Sequence, residues 1–260
     1  MKIISTTLFL IWSSSALAFD LPANNDLSTI AEIPARQQEP IRIPDFNSIK
    51  DSKIRKQAFI RLITKVARPI LHSIEKKRTI LLGLYLRYRT GDPLTDSEQQ
   101  WILRLAKHLE LKQFDSEKNS SWIELLKRTD TIPLSLLIAQ AAIESAWGTS
   151  RFAREGNNYF GIWCSRPGCG IVPKQRAKGA NHEVERYPNV TLGIRKYIHI
   201  LNTRDAFEPL RKLRHQQRVS LLSPTGTMLL RGLDRYAEHG ETYMDSLEKI
   251  IRQNQLALLD

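Results

Sequence analysis

Ile132-Pro133-Leu134-Ser135-Leu136-Leu137-Ile138-Ala139-Gln140-Ala141-Ala142-Ile143-Glu144-Ser145-Ala146-Trp147-Gly148 decides how this chain is read. Pro133 suits a first helical turn, where its missing N–H has no partner to lose. Leu134, Leu137, Ile138, Ala141 and Ala142 form an apolar body. Gly148 ends it. The pattern predicts a buried helix over residues 132–147. Its last turn carries Glu144. Gln140, Glu144 and Trp147, spaced i, i+4, i+7, would share a face. A carboxylate on an apolar helix is costly unless it is paired or used. Burial and the negative end of the helix dipole both raise its pKa, as a general acid near neutral pH requires. The bland alternative is a Glu144 ion pair with Arg151 or Arg154.

Downstream, residues 156–190 are rich in Gly, Asn, Pro and aromatics. Tyr159-Phe160-Gly161-Ile162-Trp163 reads as a short strand, and Glu183-Val184-Glu185-Arg186-Tyr187 alternates and would pair with it. Strand alternation sets Glu183 and Glu185 on one face. Helices are expected at 190–201, 206–215, 224–233 and 241–254. Cys164 and Cys169 flank Pro167-Gly168, so in an oxidising compartment they would close a small loop. Zinc needs more ligands than this pair supplies, and the thioredoxin-like C-x-x-C is absent. Neither a metal nor a cofactor is implied.

Upstream, residues 50–130 read as a basic helical region. Lys50 to Arg89 holds twelve Lys/Arg against Asp51 and Glu75, which is +10 of the chain's +12. Apolar residues recur at helical spacing through Ile54, Ala58, Leu62, Val66, Ile70, Ile74, Leu81, Leu82 and Tyr85. They predict two amphipathic helices meeting near Arg68-Pro69. This face is either solvated or in contact with an anionic wall or membrane surface. Thr95-Asp96-Ser97-Glu98 and Ser121-Trp122-Ile123-Glu124 read as capping boxes. Residues 19–49, with four prolines and no periodicity, read as an extended leader.

Met1 to Ala18 reads as a secretory signal: Lys2, an apolar stretch from Ile3 to Trp12, then Ala16-Leu17-Ala18 as cleavage site. No other stretch approaches the roughly 20 apolar residues of a membrane span. The expected location is outside the cytoplasm, in the periplasm or cell envelope. The 260 residues, 42% hydrophobic and 25% charged, exclude a disordered or collagen-like chain. A pI of 9.8 favours polyanionic partners. Export argues against nucleic acid and leaves wall polymer or lipid.

Ala139 to Ser150 resembles the A-x-x-E-S-x-W-G-x-S signature of the glucosaminidases of glycoside hydrolase family seventy-three. Asn157-Asn158-Tyr159-Phe160-Gly161-Ile162 resembles that family's N-N-L-F-G-I/M segment, and Leu233-Asp234-Arg235-Tyr236-Ala237 its late G-Y-A/S segment. The match runs from about residue 130 to 258. The basic front half, Cys-x4-Cys after the N-N-x-F-G segment, Leu201-Asn202-Thr203 and Arg211-Lys212-Leu213-Arg214 resemble the exported bacterial Bax family. The resemblance implies a mainly α (α+β) fold: a lysozyme-like helical domain with a small β lobe and the substrate in the cleft between. It implies peptidoglycan glycan strands as substrate, cut at the β-1,4 bond on the reducing side of N-acetylglucosamine. Glu144 matches the catalytic glutamate. A second group would be Glu183 or Glu185 in the β lobe, or the substrate's own acetamido oxygen. Tyr236 matches a tyrosine near the cleft that would orient that acetamido group or a water. Gln140, Trp147, Asn158, Tyr159, Phe160 and Tyr187 are the candidates for substrate contact. Asn158 would also fix the loop, while Phe160 and Trp147 suit the core. Arg235 stands where the family has Gly, able to narrow the cleft or pair with Glu144. Two rival readings remain: a lytic transglycosylase or muramidase on the same polymer, and a wall-binding module without turnover.

Overall fold

Ser52 to Thr90 form one helix, α1, of 39 residues. We describe it from a computed structural model covering residues 41–174, 176, 179–233, 236 and 240–260. The signal at 1–18, the leader up to residue 40, and Asp234, Arg235 and Ala237 lie outside the described residues. Asp51 caps α1 by accepting from the N–H of Lys53 and Ile54 at 2.7 and 2.9 Å. The helix expected to break at Arg68-Pro69 runs straight on. Pro69 cannot donate to the carbonyl of Lys65, but both residues are exposed, so water can take that carbonyl. Val66, Ala67 and Ile70 are buried on the other face and hold the helix through the interruption.

The two ends of α1 enter different cores. Phe59, Leu62, Ile63, Val66 and Ile70 join the main core. Leu81 and Leu84 join a smaller one with Trp101, Ile102, Trp122 and Leu125. That second core is built on α2 (Asp96–His108) and α3 (Asn119–Arg128). The Thr95–Glu98 capping box on α2 is complete. Ser121, read as a cap, sits inside α3 instead, where its hydroxyl accepts from the N–H of Asp115.

Helix α4 (Leu134–Glu144) is the axis of the main core, with nine consecutive buried residues from Leu134 to Ala142. Each fully buried Leu or Ile contributes roughly 1.5–3 kcal/mol. Around it lie α6 (Val190–Thr203) and α9 (Gly240–Gln253), and α7 (Glu208–Val219) and α8 (Gly226–Leu229) complete the bundle. A helix that periodicity missed, α5 (Arg151–Gly156), is capped by the Ser150 hydroxyl. Residues 41–49, read as the end of the leader, pack onto this core, with Phe46 1% exposed.

The β lobe is a three-stranded antiparallel sheet in the order β1-β3-β2. The strands are β1 (Trp163–Cys164), β2 (Gly170–Ile171) and β3 (Glu183–Glu185). Trp163 pairs with Val184, and Ile171 with Val184 from the other side. The strand expected from Tyr159 begins only at Trp163. Cys164 and Cys169 are bonded and close the β1–β2 loop. The fold is therefore mainly α with a small β lobe.

Candidate active site

The ends of two elements meet at Glu144. Helix α4 stops there, three residues before the expected end at Trp147. Ala146, Trp147 and Gly148 all take left-handed backbone angles, with φ of 49°, 58° and 82°. A non-glycine residue there costs about 1–2 kcal/mol. Ser145 stabilises the turn: its buried hydroxyl donates to Ala141 O at 2.6 Å and accepts from Gly148 N at 2.9 Å. A Cβ on Gly148 would sit 2.4 Å from the Phe46 ring, so glycine also makes room for residues 41–49.

The turn swings Trp147 off the Gln140–Glu144 face. Its indole packs edge-on against Phe59 and under Lys56 of α1. Trp147 therefore packs, partly buried, against α1.

Glu144 is half-buried. Its Oε1 accepts from the Tyr243 hydroxyl at 2.9 Å. It pairs with neither Arg151 nor Arg154, and forms no ion pair among the described residues. Burial lifts its carboxyl above the ordinary glutamate range, and the Tyr243 hydrogen bond pulls partly back. Gln140 stands behind the pair, fully buried. Its amide donates to Tyr243 Oη at 3.1 Å, and its carbonyl accepts from the Tyr197 hydroxyl. Gln140 thus positions Tyr243 and has no surface for substrate.

Gly161 closes over the carboxylate. Its φ is +64°, and a Cβ there would lie 3.2 Å from Glu144 Oε2. Asn158 shapes this crossing. Its amide donates to Ile162 O and Glu185 O, and its carbonyl accepts from Phe160 N and Ile162 N. With those partners, Asn158 fixes the loop as expected and has nothing left for a ligand. Tyr159 is 1% exposed against Phe59, and burial pushes its hydroxyl up to about 12. Phe160 stacks on Tyr197 at 3.9 Å. Both are core.

Glu183 departs from its expected role. Its two oxygens accept from Gly168 N at 3.0 Å and Gly170 N at 2.8 Å. These donors hold its carboxyl below the usual range and make it the clasp of the disulfide loop. Glu185 instead accepts from the Tyr187 hydroxyl at 2.9 Å. Tyr187 is 7% exposed, and burial, followed by the Glu185 charge, raises its pKa. Tyr236 stacks on Tyr243 at 5.5 Å and donates to Phe160 O at 3.2 Å. Burial raises its pKa well above the ordinary tyrosine value, and the charges of Glu144 and Tyr187 add to that. Tyr236 thus packs against Tyr243, the tyrosine that holds Glu144.

Sequence reasoning missed Tyr243. Its signal was an apolar tyrosine on an amphipathic helix, seven residues after Tyr236. Among the described residues no three His, Cys, Asp or Glu side chains gather as for a metal. No described helix is long and apolar enough to cross a membrane.

Residues 119–256 match the family model of mannosyl-glycoprotein endo-beta-N-acetylglucosaminidase. The chain is 29% identical over 213 residues to Protein bax of Escherichia coli (strain K12), which covers 82% of this chain and 74% of that protein. Among solved structures, the catalytic domain of the autolysin Auto of Listeria monocytogenes is 18% identical. It aligns with a TM-score of 0.45, over 85% of this chain and all of that one.

Proposed function

The chain belongs to the mannosyl-glycoprotein endo-beta-N-acetylglucosaminidase family, and from that premise we propose that it cuts peptidoglycan on the reducing side of N-acetylglucosamine with Glu144 as general acid. It is a glycoside hydrolase of the endo-β-N-acetylglucosaminidase type. The observation that carries the assignment is the state of Glu144: half-buried, raised in pKa, held by one tyrosine and, among the described residues, opposed by no cation. A carboxyl whose pKa burial raises keeps its proton to higher pH than an ordinary glutamate, and can give it to the leaving glycosidic oxygen while the sugar takes on oxocarbenium character.

The Tyr243 hydroxyl fixes Oε1, which leaves Oε2 to carry the proton on the Gly161 side. As the proton leaves, the same hydroxyl stabilises the new carboxylate. Tyr236 gives its own proton to Phe160 O, so its lone pairs can accept from the N–H of the substrate's acetamido group. The second carboxylate role passes from Glu183 to Glu185. Glu183 is engaged by two backbone donors, whereas Glu185 accepts from a side chain, the Tyr187 hydroxyl. The chain would act outside the cytoplasm, in the periplasm or cell envelope, after removal of residues 1–18.

Digestion of purified peptidoglycan, with products read by mass spectrometry, tests this. Fragments ending in reducing N-acetylglucosamine are expected. Reducing N-acetylmuramic acid, or an anhydro sugar, would contradict the assigned bond.

A further inference from the structure

A cavity of about 1000 Å³ opens between α1, α2 and α6, on the side of α6 away from Glu144. Tyr197 of α6 faces Phe160 and Gln140. Arg195, Lys196 and His199 of the same helix line the cavity. Its floor is apolar: Ile70, Trp101, Leu105 and Ile198 are each under 9% exposed. Its rim carries Lys77, Arg104, Lys107, Arg128, Arg195 and Lys196. Glu110 is the single carboxylate among the lining residues, and it is tied to His199 at 3.0 Å. Leu192 lies at the mouth, 41% exposed. Arg104 and Arg195 form no ion pair among the described residues. Arg128 is already held by Glu124 at 2.8 Å and by the carbonyls of Leu109 and Glu110; the other five cations over an apolar floor suit a ligand with an anionic head and an apolar body. A polysaccharide offers no such body, and the apolar mouth would stay unsatisfied against it.

We propose that this groove docks the chain on an anionic lipid surface, seating a phosphate headgroup among Arg104, Arg195 and Lys196 with the top of its acyl chain on the Ile70–Leu105 floor. The basic surface expected on residues 50–89 is thereby relocated. Helix α1 supplies Lys77 and part of the floor, while Arg104, Lys107, Arg195 and Lys196 come from α2 and α6. The groove and Glu144 lie on opposite sides of α6, so a docked molecule would turn its cleft away from the membrane. The docking claim does not depend on turnover.

The test is co-sedimentation of the chain from Phe19 onward, which retains both cores, with two kinds of vesicle. One is phosphatidylglycerol mixed with phosphatidylethanolamine, and the other is phosphatidylcholine alone. Binding to the first only is expected, weakening with salt. Arg104→Glu with Arg195→Glu should lower the partition by about thirtyfold or more, the factor for two lost cationic contacts. Arg61→Glu with Lys65→Glu makes the same charge change on an exposed face of α1 outside the groove and serves as control. The control should lose far less. Leu192→Ser should weaken binding with no change of charge. Circular dichroism and hydrolysis of soluble glycan fragments check that each variant is folded and that its cleft works. Equal losses in the groove and control variants would overturn the proposal, leaving only a diffuse basic surface. So would binding to both vesicle types or to neither, or a groove variant that loses peptidoglycan binding and keeps the vesicles.

Discussion

Glu144 is a residue the fold holds at a cost. A carboxyl whose pKa is raised on folding favours the folded state only while protonated. That contribution is complete below the unfolded pKa and is lost as pH rises through the folded one. Replacing Glu144 by Gln should therefore stabilise the protein at neutral and alkaline pH, with the gain vanishing in acid. Thermal melts of both proteins across pH measure it. Tyr243 works in the opposite sense, because its hydroxyl favours the carboxylate. In Tyr243→Phe the acid should stay protonated to higher pH, moving the alkaline limb of the rate profile upward. The same change leaves the buried Gln140 amide without its acceptor and should cost about 1–3 kcal/mol of stability. Glu144 was legible because a lone carboxylate in an apolar run is conspicuous. Tyr243 was not, because a buried tyrosine on an amphipathic helix looks like any core aromatic until its hydroxyl partner is known.

At the scale of elements, two glycines place the acid. Gly161→Ala combines a positive φ with a Cβ 3.2 Å from Glu144 Oε2. The backbone cost is about 1–2 kcal/mol. The larger effect expected is a fall in turnover, as the new methyl displaces the carboxylate. Parallel melts and rate measurements separate the two. Gly148→Ala presses on the Phe46 ring and should cost about 3 kcal/mol through strain and overpacking together. Periodicity placed α4 correctly but carried it to Trp147. A run of left-handed residues leaves no mark on hydrophobic spacing, so the turn that separates Trp147 from Glu144 stayed hidden. The same blindness left Tyr159 and Tyr187 open between sugar contact and core, and both are buried. Their residue type suited stacking, and only burial decides between ring-on-sugar and ring-in-core.

Over the whole molecule, the basic front half and the catalytic half meet at Asp130. This 1%-exposed carboxylate binds Arg78 of α1 at 3.3 Å, and Arg214 and Arg218 of α7 at 3.6 and 2.8 Å. Arg214 also donates to the carbonyls of Lys127 and Thr131 and to Asn202 Oδ1. Arg211 donates to those of Leu201 and Arg204. The Leu201-Asn202-Thr203 and Arg211-Lys212-Leu213-Arg214 segments therefore join helices and do no chemistry. Sequence reading ended the basic region at residue 130 by spacing along the chain, on which ion pairs across it leave no mark. Removing one partner of a buried charge cluster costs about 3–5 kcal/mol, so Asp130→Ala should lower the melting temperature of both halves together. Calorimetry would read this as one transition moved and not two transitions separated.

Everything rests on Glu144 as the proton donor. Purified peptidoglycan should be incubated with the protein and with Glu144→Gln, and the released reducing ends counted. The account predicts release by the protein, and loss of it in the variant while binding to the wall polymer persists. A variant that released reducing ends at an undiminished rate would contradict it.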